Sequence, residues 1–338
     1  MNRSSMAASN GDPRDGAADV LACLRGHERF VMCAHEKPDG DVLGSGYALG
    51  LALKSLGKRV AYFLDDDIPK NLRFLPEWRH SQRTFDGIDG DALFIFFDMS
   101  DQSRAGHALQ WVPKERIVNI DHHLGNKHFG RWNYVNETEA ATGSLVLGLI
   151  LSLGAPVTTD IATCLLATLI SDTGCFQYSN ASPHTMRLGA ALIEAGADKD
   201  LITEQLYYTR TFAGQKVLGR ALEAAQLTDD GICYSVVTQS MLDEFGATHE
   251  DLEDVVGALR VVEQCEVAAL FKEAEDGIFR LSMRSRGRFN VMEVARALGG
   301  GGHFRAAGAT VPGPRDAAIA KVLNAIRVEM ANEARAAY

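Results

Sequence analysis

Three short apolar runs of strand type set the terms for this chain: R-F-V-M-C at 29–33, A-L-F-I-F-F at 92–97 and R-I-V-N-I at 116–120. Each gives way within two residues to groups that a buried strand excludes. The first leads to Ala34 and His35, the second to Asp98, and the third to Asp121, His122 and His123. A fourth run, Arg59 to Leu64, lies between the first two, and small and aliphatic residues at helical spacing fill Gly44 to Leu56. Strands alternating with helices predict an α/β fold with a largely parallel sheet flanked by helices. In such sheets ligands gather beyond the carboxyl ends of the strands. Acids and imidazoles from three strands would therefore meet at one edge.

The stretch Ala34 to Leu43, A-H-E-K-P-D-G-D-V-L, occupies the first of these strand-to-helix turns. Asp39 and Asp41 are two positions apart, so in an extended segment they point the same way and repel. A divalent cation removes that repulsion; the alternative is a polar turn whose aspartates cap the next helix while His35 is merely solvated. Asp172 closes a further apolar run, Thr158 to Ser171, in the sequence S-D-T-G. It reads either as a partner for these groups or as part of a helix-ending turn with Gly174 left-handed, and the first reading is preferred.

With 338 residues, two domains are favoured over one. The run Ser144 to Leu153 is too short to span a membrane and reads as a buried helix. Met1 to Gly16 is small and polar with no apolar segment, so a loose tail on a cytoplasmic protein is expected. Six cysteines without any C-x-x-C pattern suggest buried thiols, not a zinc module or a disulfide framework. A net charge of −10 argues against attraction to duplex nucleic acid or to anionic membranes. It leaves room for a short phosphorylated ligand held by a metal and a local cluster of arginines.

Helices are expected over Pro183 to Gly196, Lys199 to Thr209 and Gln215 to Gln226. The expected organisation is a tail over 1–16, a catalytic domain over 17–195, a helical linker region over 196–215 and a smaller α+β domain over 216–338. In the last, Ile232 to Thr238, Glu266 to Phe271 and Ile278 to Met283 read as strands, with a hairpin turn at Glu275-Asp276-Gly277. Glu250 to Glu263, Val291 to Leu298 and Asp316 to Asn332 read as helices. Arg280, Arg284, Arg286, Arg288, Arg296 and Arg305 share a window that holds a single acid, Glu293. This pattern points to an anionic ligand or, failing that, to a solvated basic face. The four glycines of Gly299 to His303, G-G-G-G-H, let the backbone approach a ligand closely and point N–H groups at phosphate oxygens, as in a nest.

Taken together, H-E-K-P-D-G-D at 35–41, D-M-S-D at 98–101, D-H-H at 121–123 and S-D-T-G at 171–174 resemble the four motifs of the DHH phosphoesterases. S-M-R-S-R-G at 282–287 and G-G-G-G-H-F-R-A-A-G at 299–308 resemble the DHHA1 substrate-binding domain of one branch. The chain is most similar to the nanoRNase type. The glycine-rich motif speaks against relatives that degrade inorganic pyrophosphate, and the chain has no room for the extra regions of the long exonucleases. Ser171 stands where many members have glycine.

The resemblance implies an active site in a cleft between the two domains and two manganese ions per chain, with magnesium or cobalt as substitutes. His35, Asp39 and Asp98 would hold one ion, and Asp41, Asp98, His122 and Asp172 the other, with Asp98 bridging. Hard oxygen donors with two imidazoles and no thiolate suit such ions. The paired cations would activate a hydroxide for attack on phosphorus. His123 would meet the phosphate or protonate the leaving oxygen, and Asp121 would orient a neighbouring imidazole. Arg284, Arg286, Gly301, Gly302 and His303 would hold the far phosphate and base. The implied substrates are short oligoribonucleotides, dinucleotides and 3′-phosphoadenosine 5′-phosphate, with a homodimer left open. The alternatives are a phosphodiesterase of cyclic di-AMP or of its linear product pApA, and a nucleotide sensor without turnover.

Overall fold

The computed structural model describes residues 16–84, 90–107, 109, 112–252, 255–274 and 277–336, so the expected tail and the turn residues Glu275 and Asp276 lie outside the described residues. The chain divides into two units, Met1–Thr209 and Arg210–Tyr338. In the first, α1 (Ala17–Gly26) precedes β1 (Arg29–Cys33), α2 (Gly40–Ser55), β2 (Arg59–Phe63), β3 (Ser81–Gln82), β4 (Leu93–Phe97), β5 (Ile117–Asp121) and β6 (Trp132–Val135). Then come α3 (Thr142–Leu153), α4 (Thr159–Asp172), α5 (Pro183–Glu194) and α6 (Lys199–Thr203), which runs into a single π-helical turn at Glu204–Tyr208.

The six strands pair in the order β3-β2-β1-β4-β5-β6, and every pairing is parallel. The aromatic and β-branched runs explain the central strands. β3 and β6 carry no such signal: one has two residues, and the other, W-N-Y-V, is an edge strand with a polar residue inside it.

Period-two alternation splits β1 and β4 between two cores. Phe30, Met32, Ile95 and Phe97 join residues of α1 to α5, while Val31, Cys33, Phe94 and Phe96 are closed over by Ala105, Val112 and Phe129 from connecting segments. On the helical side α2 lies tightly against α4. A Cβ built at Gly44 would stand 2.6 Å from the Cys164 carbonyl oxygen.

The second unit holds α7 (Phe212–Glu223), β7 (Gln226–Leu227), β8 (Ile232–Val237), α8 (Gln239–Phe245), α9 (Val255–Arg260), β9 (Val267–Glu273) and β10 (Ile278–Ser285). It continues with α10 (Val291–Ala297), β11 (Gly301–His303), β12 (Ala306–Pro312) and α11 (Arg315–Ala336). The helix expected over Glu250 to Glu263 is a 3₁₀ turn at His249–Leu252 followed by the shorter α9. α8, ended by left-handed Gly246, was not foreseen.

The strand order here is β11-β12-β10-β9-β8-β7, antiparallel except for β8 with β9. One face packs Phe271, Leu281 and Met283 on Val322 and Ile326 of α11. The other face is covered over β8 and β9 by a core that includes Val217, Leu242 and Val256.

Gly301–His303 forms an edge strand paired with β12, and the Gly300 amide donates to the Ala295 carbonyl. Gly300 and Gly302 are packed against main chain: a Cβ at Gly300 would lie 2.1 Å from the Gly308 carbonyl oxygen, whereas Gly299 and Gly301 face open space. Among the described residues no helix is long and apolar enough to cross a membrane.

The α2–α4 approach can be tested. Gly44→Ala pushes a methyl group against main chain that cannot rotate away, so it is expected to lower unfolding free energy by about 1–3 kcal/mol in urea titration.

Candidate active site

The strand order reverses between β1 and β4, because β1 continues outward to β2 and β4 continues the other way to β5. A crevice opens at such a reversal, beyond the carboxyl ends of the strands. His35 follows β1, Asp98 follows β4, and Asp121, His122 and His123 stand at the end of β5. α2 begins at the same edge with Asp39 as its N-cap and Asp41 in its first turn, and α4 ends there on Asp172. Ligand atoms of three sets gather within 4.8 Å: His35 with Asp39 and Asp98; Asp41 with His122 and Asp172; and Asp98 with His122 and His123.

Asp98 belongs to two of these sets, as does His122. Asp98 leaves the sheet in the left-handed region, φ 56°, with its amide donated to the Ile120 carbonyl at 3.0 Å. Its Oδ2 lies 3.6 Å from His35 Nε2, and its Oδ1 lies 3.4 Å from His122 Nε2 and 3.3 Å from His123 Nδ1. One carboxylate thus faces both halves of the cluster.

Asp39 caps a helix with one oxygen and faces the cluster with the other. Its Oδ1 caps α2, accepting the amides of Asp41 and Val42 at 3.1 Å each, while Oδ2 faces His35 Nε2 at 3.7 Å. Asp41 is fully buried, and Thr142 and Gly143 donate their amides to it at 2.7 and 3.1 Å. These are the first two residues of α3, whose own N-cap, Ala141, offers no side-chain acceptor. The charge of Asp41 therefore satisfies the amino end of a helix from another element. Asp172 lies 3.1 Å from His122 Nε2, and Gly174 beyond it is left-handed.

Both imidazoles are fixed at the far nitrogen. His35 Nδ1 donates to the Glu36 carbonyl at 2.8 Å, and His122 Nδ1 donates to the Glu139 carbonyl at 3.2 Å. Each ring therefore turns its Nε2 toward the carboxylates, and both Nε2 atoms are buried without a well-aligned hydrogen bond. Such atoms are costly unless something electrophilic meets them. Hydrogen bonds from the outer nitrogen to a carbonyl are how proteins orient metal-binding imidazoles. The residues fit a divalent cation.

The electrostatics agree. Burial, and then the charges of Asp172 and Asp98, push the Asp41 carboxyl well above its usual range. Burial also raises Asp172 to about 6, against the pull of His122, with Asp98 adding to the rise. Burial works against a charged His122, but Asp172 and Asp98 outweigh it and raise the imidazole well above its ordinary value. Asp98, by contrast, is held well below the usual carboxylate range, against its burial, by His122, His35 and His123. A cation among these groups would favour the ionised form of every carboxylate.

Beside the cluster, buried Asp121 accepts from His123 Nδ1 at 2.7 Å and from the His122 amide at 2.9 Å. Its other oxygen takes Asn126, which also bonds Asn119 Oδ1 at 2.9 Å and the Met99 carbonyl at 3.0 Å. Sequence reasoning missed these asparagines and Thr142. The fully buried Asn119, a polar residue inside the apolar run R-I-V-N-I, was the available signal. Thr142 gave none; it donates its hydroxyl to Asp98 Oδ1 at 3.1 Å and its amide to Asp41.

In the second unit, register groups the remaining residues. Arg284 pairs with Ala306, which pairs with His303, and Ser282 pairs with Gly308, which pairs with Gly301. Cross-strand partners share a face, so Arg280, Ser282, Arg284, Gly301 and Thr310 lie on the side that the helices leave uncovered beyond β9. Gly302 belongs to the opposite face, where a Cβ would stand 2.5 Å from the Ala306 carbonyl oxygen. The Arg286 guanidinium donates to the carbonyls of Arg260 and Glu263 at 3.3 and 3.1 Å, binding the end of α9.

Known proteins agree with this architecture. Residues 29–169 match the DHH family, N-terminal domain, and residues 229–332 match the DHHA1 domain. The chain is 36% identical to the bifunctional oligoribonuclease and PAP phosphatase NrnA of Thermus thermophilus, over 93% of each protein. The protein of the same name from Bacillus subtilis is 25% identical over 87% of this chain and 92% of its own length. The crystal structure of an exopolyphosphatase-related protein from Bacteroides fragilis shares the fold, with a TM-score of 0.87, 21% identity and coverage of 94% of this chain and 97% of the other. The chain belongs to the DHH family, and carries its N-terminal domain followed by a DHHA1 domain.

Proposed function

We propose that this hydrolase of phosphoester bonds takes mononucleotides from very short oligoribonucleotides and removes the 3′-phosphate of 3′-phosphoadenosine 5′-phosphate, using two divalent cations. The observation that carries the reading is the pair of buried, outward-fixed imidazoles, His35 and His122, on either side of Asp98. The substrate class follows relatives named as bifunctional oligoribonuclease and PAP phosphatase.

His35, Asp39 and Asp98 would hold one cation, and Asp41, Asp98, His122 and Asp172 the other. Manganese suits the mixture of carboxylate oxygen and imidazole nitrogen, with magnesium and cobalt as substitutes. When bound, the cations supply a nucleophile at neutral pH and neutralise charge on the attacked phosphate. The remaining work belongs to the chain. α3, through its first amides, keeps Asp41 turned toward His122, and Thr142 anchors Asp98 from the opposite side. Asp121 accepts the Nδ1 proton of His123 and, with Asp98, favours the charged imidazolium, whose other N–H can be given to the departing oxygen. Arg284, Gly301 and His303, grouped by the register of β10, β12 and β11, would receive the far phosphate and base. Gly302 would support them through close strand packing and Arg286 through its hold on the end of α9.

Hydrolysis of pApA, 3′-phosphoadenosine 5′-phosphate and cyclic di-AMP with manganese, measured side by side, tests the reading. The first two should turn over and cyclic di-AMP should lag. Binding without turnover in manganese, magnesium and cobalt would establish a sensor instead. Asp98→Ala should lower kcat/KM for pApA by roughly 10³-fold or more, since it removes a group that serves both cations. Thr142→Val keeps the helix amide but loses the hydroxyl. It is expected to raise the manganese concentration for half-maximal activity about 10-fold with little change in Tm, as read by metal titration and thermal unfolding.

A further inference from the structure

The run Asp65-Asp66-Asp67 after β2 takes no part in the metal cluster, yet each carboxylate is committed to a different segment. Asp65 accepts the His107 amide at 2.5 Å, Asp67 pairs with Arg83 at 3.0 Å, and Asp66 accepts the Lys37 amide at 2.7 Å. The last contact leads back to the active site. The Lys37 amide and the Glu36 carbonyl belong to one peptide group. Its N–H goes to Asp66 Oδ2, and its C=O accepts the proton of His35 Nδ1 at 2.8 Å. The group is held in a strained setting: Lys37 has φ 55°, and the Glu36 amide is donated to the Arg104 carbonyl at 2.9 Å.

We propose that Asp66 is a positioning residue for the His35 ligand, acting through the Glu36–Lys37 peptide. A carboxylate on the N–H side fixes the plane of the peptide and polarises it, so its carbonyl becomes a stronger acceptor. The carbonyl in turn keeps the His35 proton on Nδ1 and the Nε2 lone pair directed at Asp39 and Asp98. The chain thus reaches from the end of β2, through one peptide, to a ligand at the end of β1. This inference rests on the divalent-cation reading of the site.

Manganese binding measured by electron paramagnetic resonance of the free ion, on wild type, Asp66→Ala and Asp66→Asn, tests it without recourse to activity. Asp66→Ala should weaken one bound manganese by about 10–100-fold and leave the other near its wild-type affinity. Asp66→Asn, which retains an acceptor oxygen, should stay much closer to wild type. Thermal unfolding in EDTA should be the same for all three, because the effect lies in the ligand and not in the fold. Unchanged manganese affinity in Asp66→Ala overturns the inference and leaves the metal reading intact. Equal weakening in both variants, or losses that track lower stability in EDTA, also overturns it. A wild type that binds no manganese would instead remove the metal reading itself.

Discussion

Like charges brought together out of water are the constraint on which the first unit depends. Asp41 and Asp98 are buried, Asp39 and Asp172 stand beside them, and the imidazoles of His35 and His122 complete the cluster. Burial first, and then the charge of neighbouring carboxylates, raises Asp41 and Asp172. A folded chain carries such a cluster only if fixed dipoles and hydrogen bonds hold it. Here they come from main chain already ordered for other reasons.

The amides at the start of α3 face Asp41, and the carbonyls of Glu36 and Glu139 face His35 and His122. Groups tied into helices and turns have little freedom left to lose, so the geometry presented to a cation is set before the cation arrives. The same economy explains why several residues act twice. Asp39 caps α2 with one oxygen and faces the cluster with the other, and Thr142 serves Asp41 through its amide and Asp98 through its hydroxyl.

The second unit solves a different problem. Its helices cover one face fully and the other only over β8 and β9, so arginine, serine and glycine residues of β10 and β11 remain on an open surface. Gly300, Gly302 and Gly308 bring neighbouring main chain close together at this edge. The basic window seen in the sequence divides accordingly. Arg280 and Arg284 stay on that surface, while Arg286 is taken up by the end of α9.

The parallel sheet, its central strands and the residues that leave their ends were legible in the sequence, because strand periodicity and abrupt apolar-to-acidic transitions are local properties. So were the motifs at 35–41, 98–101, 121–123 and 171–174. β3, β6, α8 and the strand character of Gly301–His303 were not, since each is too short or too glycine-rich to carry a periodic signal and takes its form from a neighbour. Nor could spacing reveal that Thr142 joins Asp41 to Asp98, or that Asn119 and Asn126 brace Asp121. Those relations exist only after the strand order places β1 beside β4 and α3 at the end of α2. The sequence by itself determined which groups would reach the sheet edge, because that depends on neighbours along the chain. The tertiary structure alone decided which way each faces, because the hydrogen bonds that turn them come from segments as much as 102 residues away.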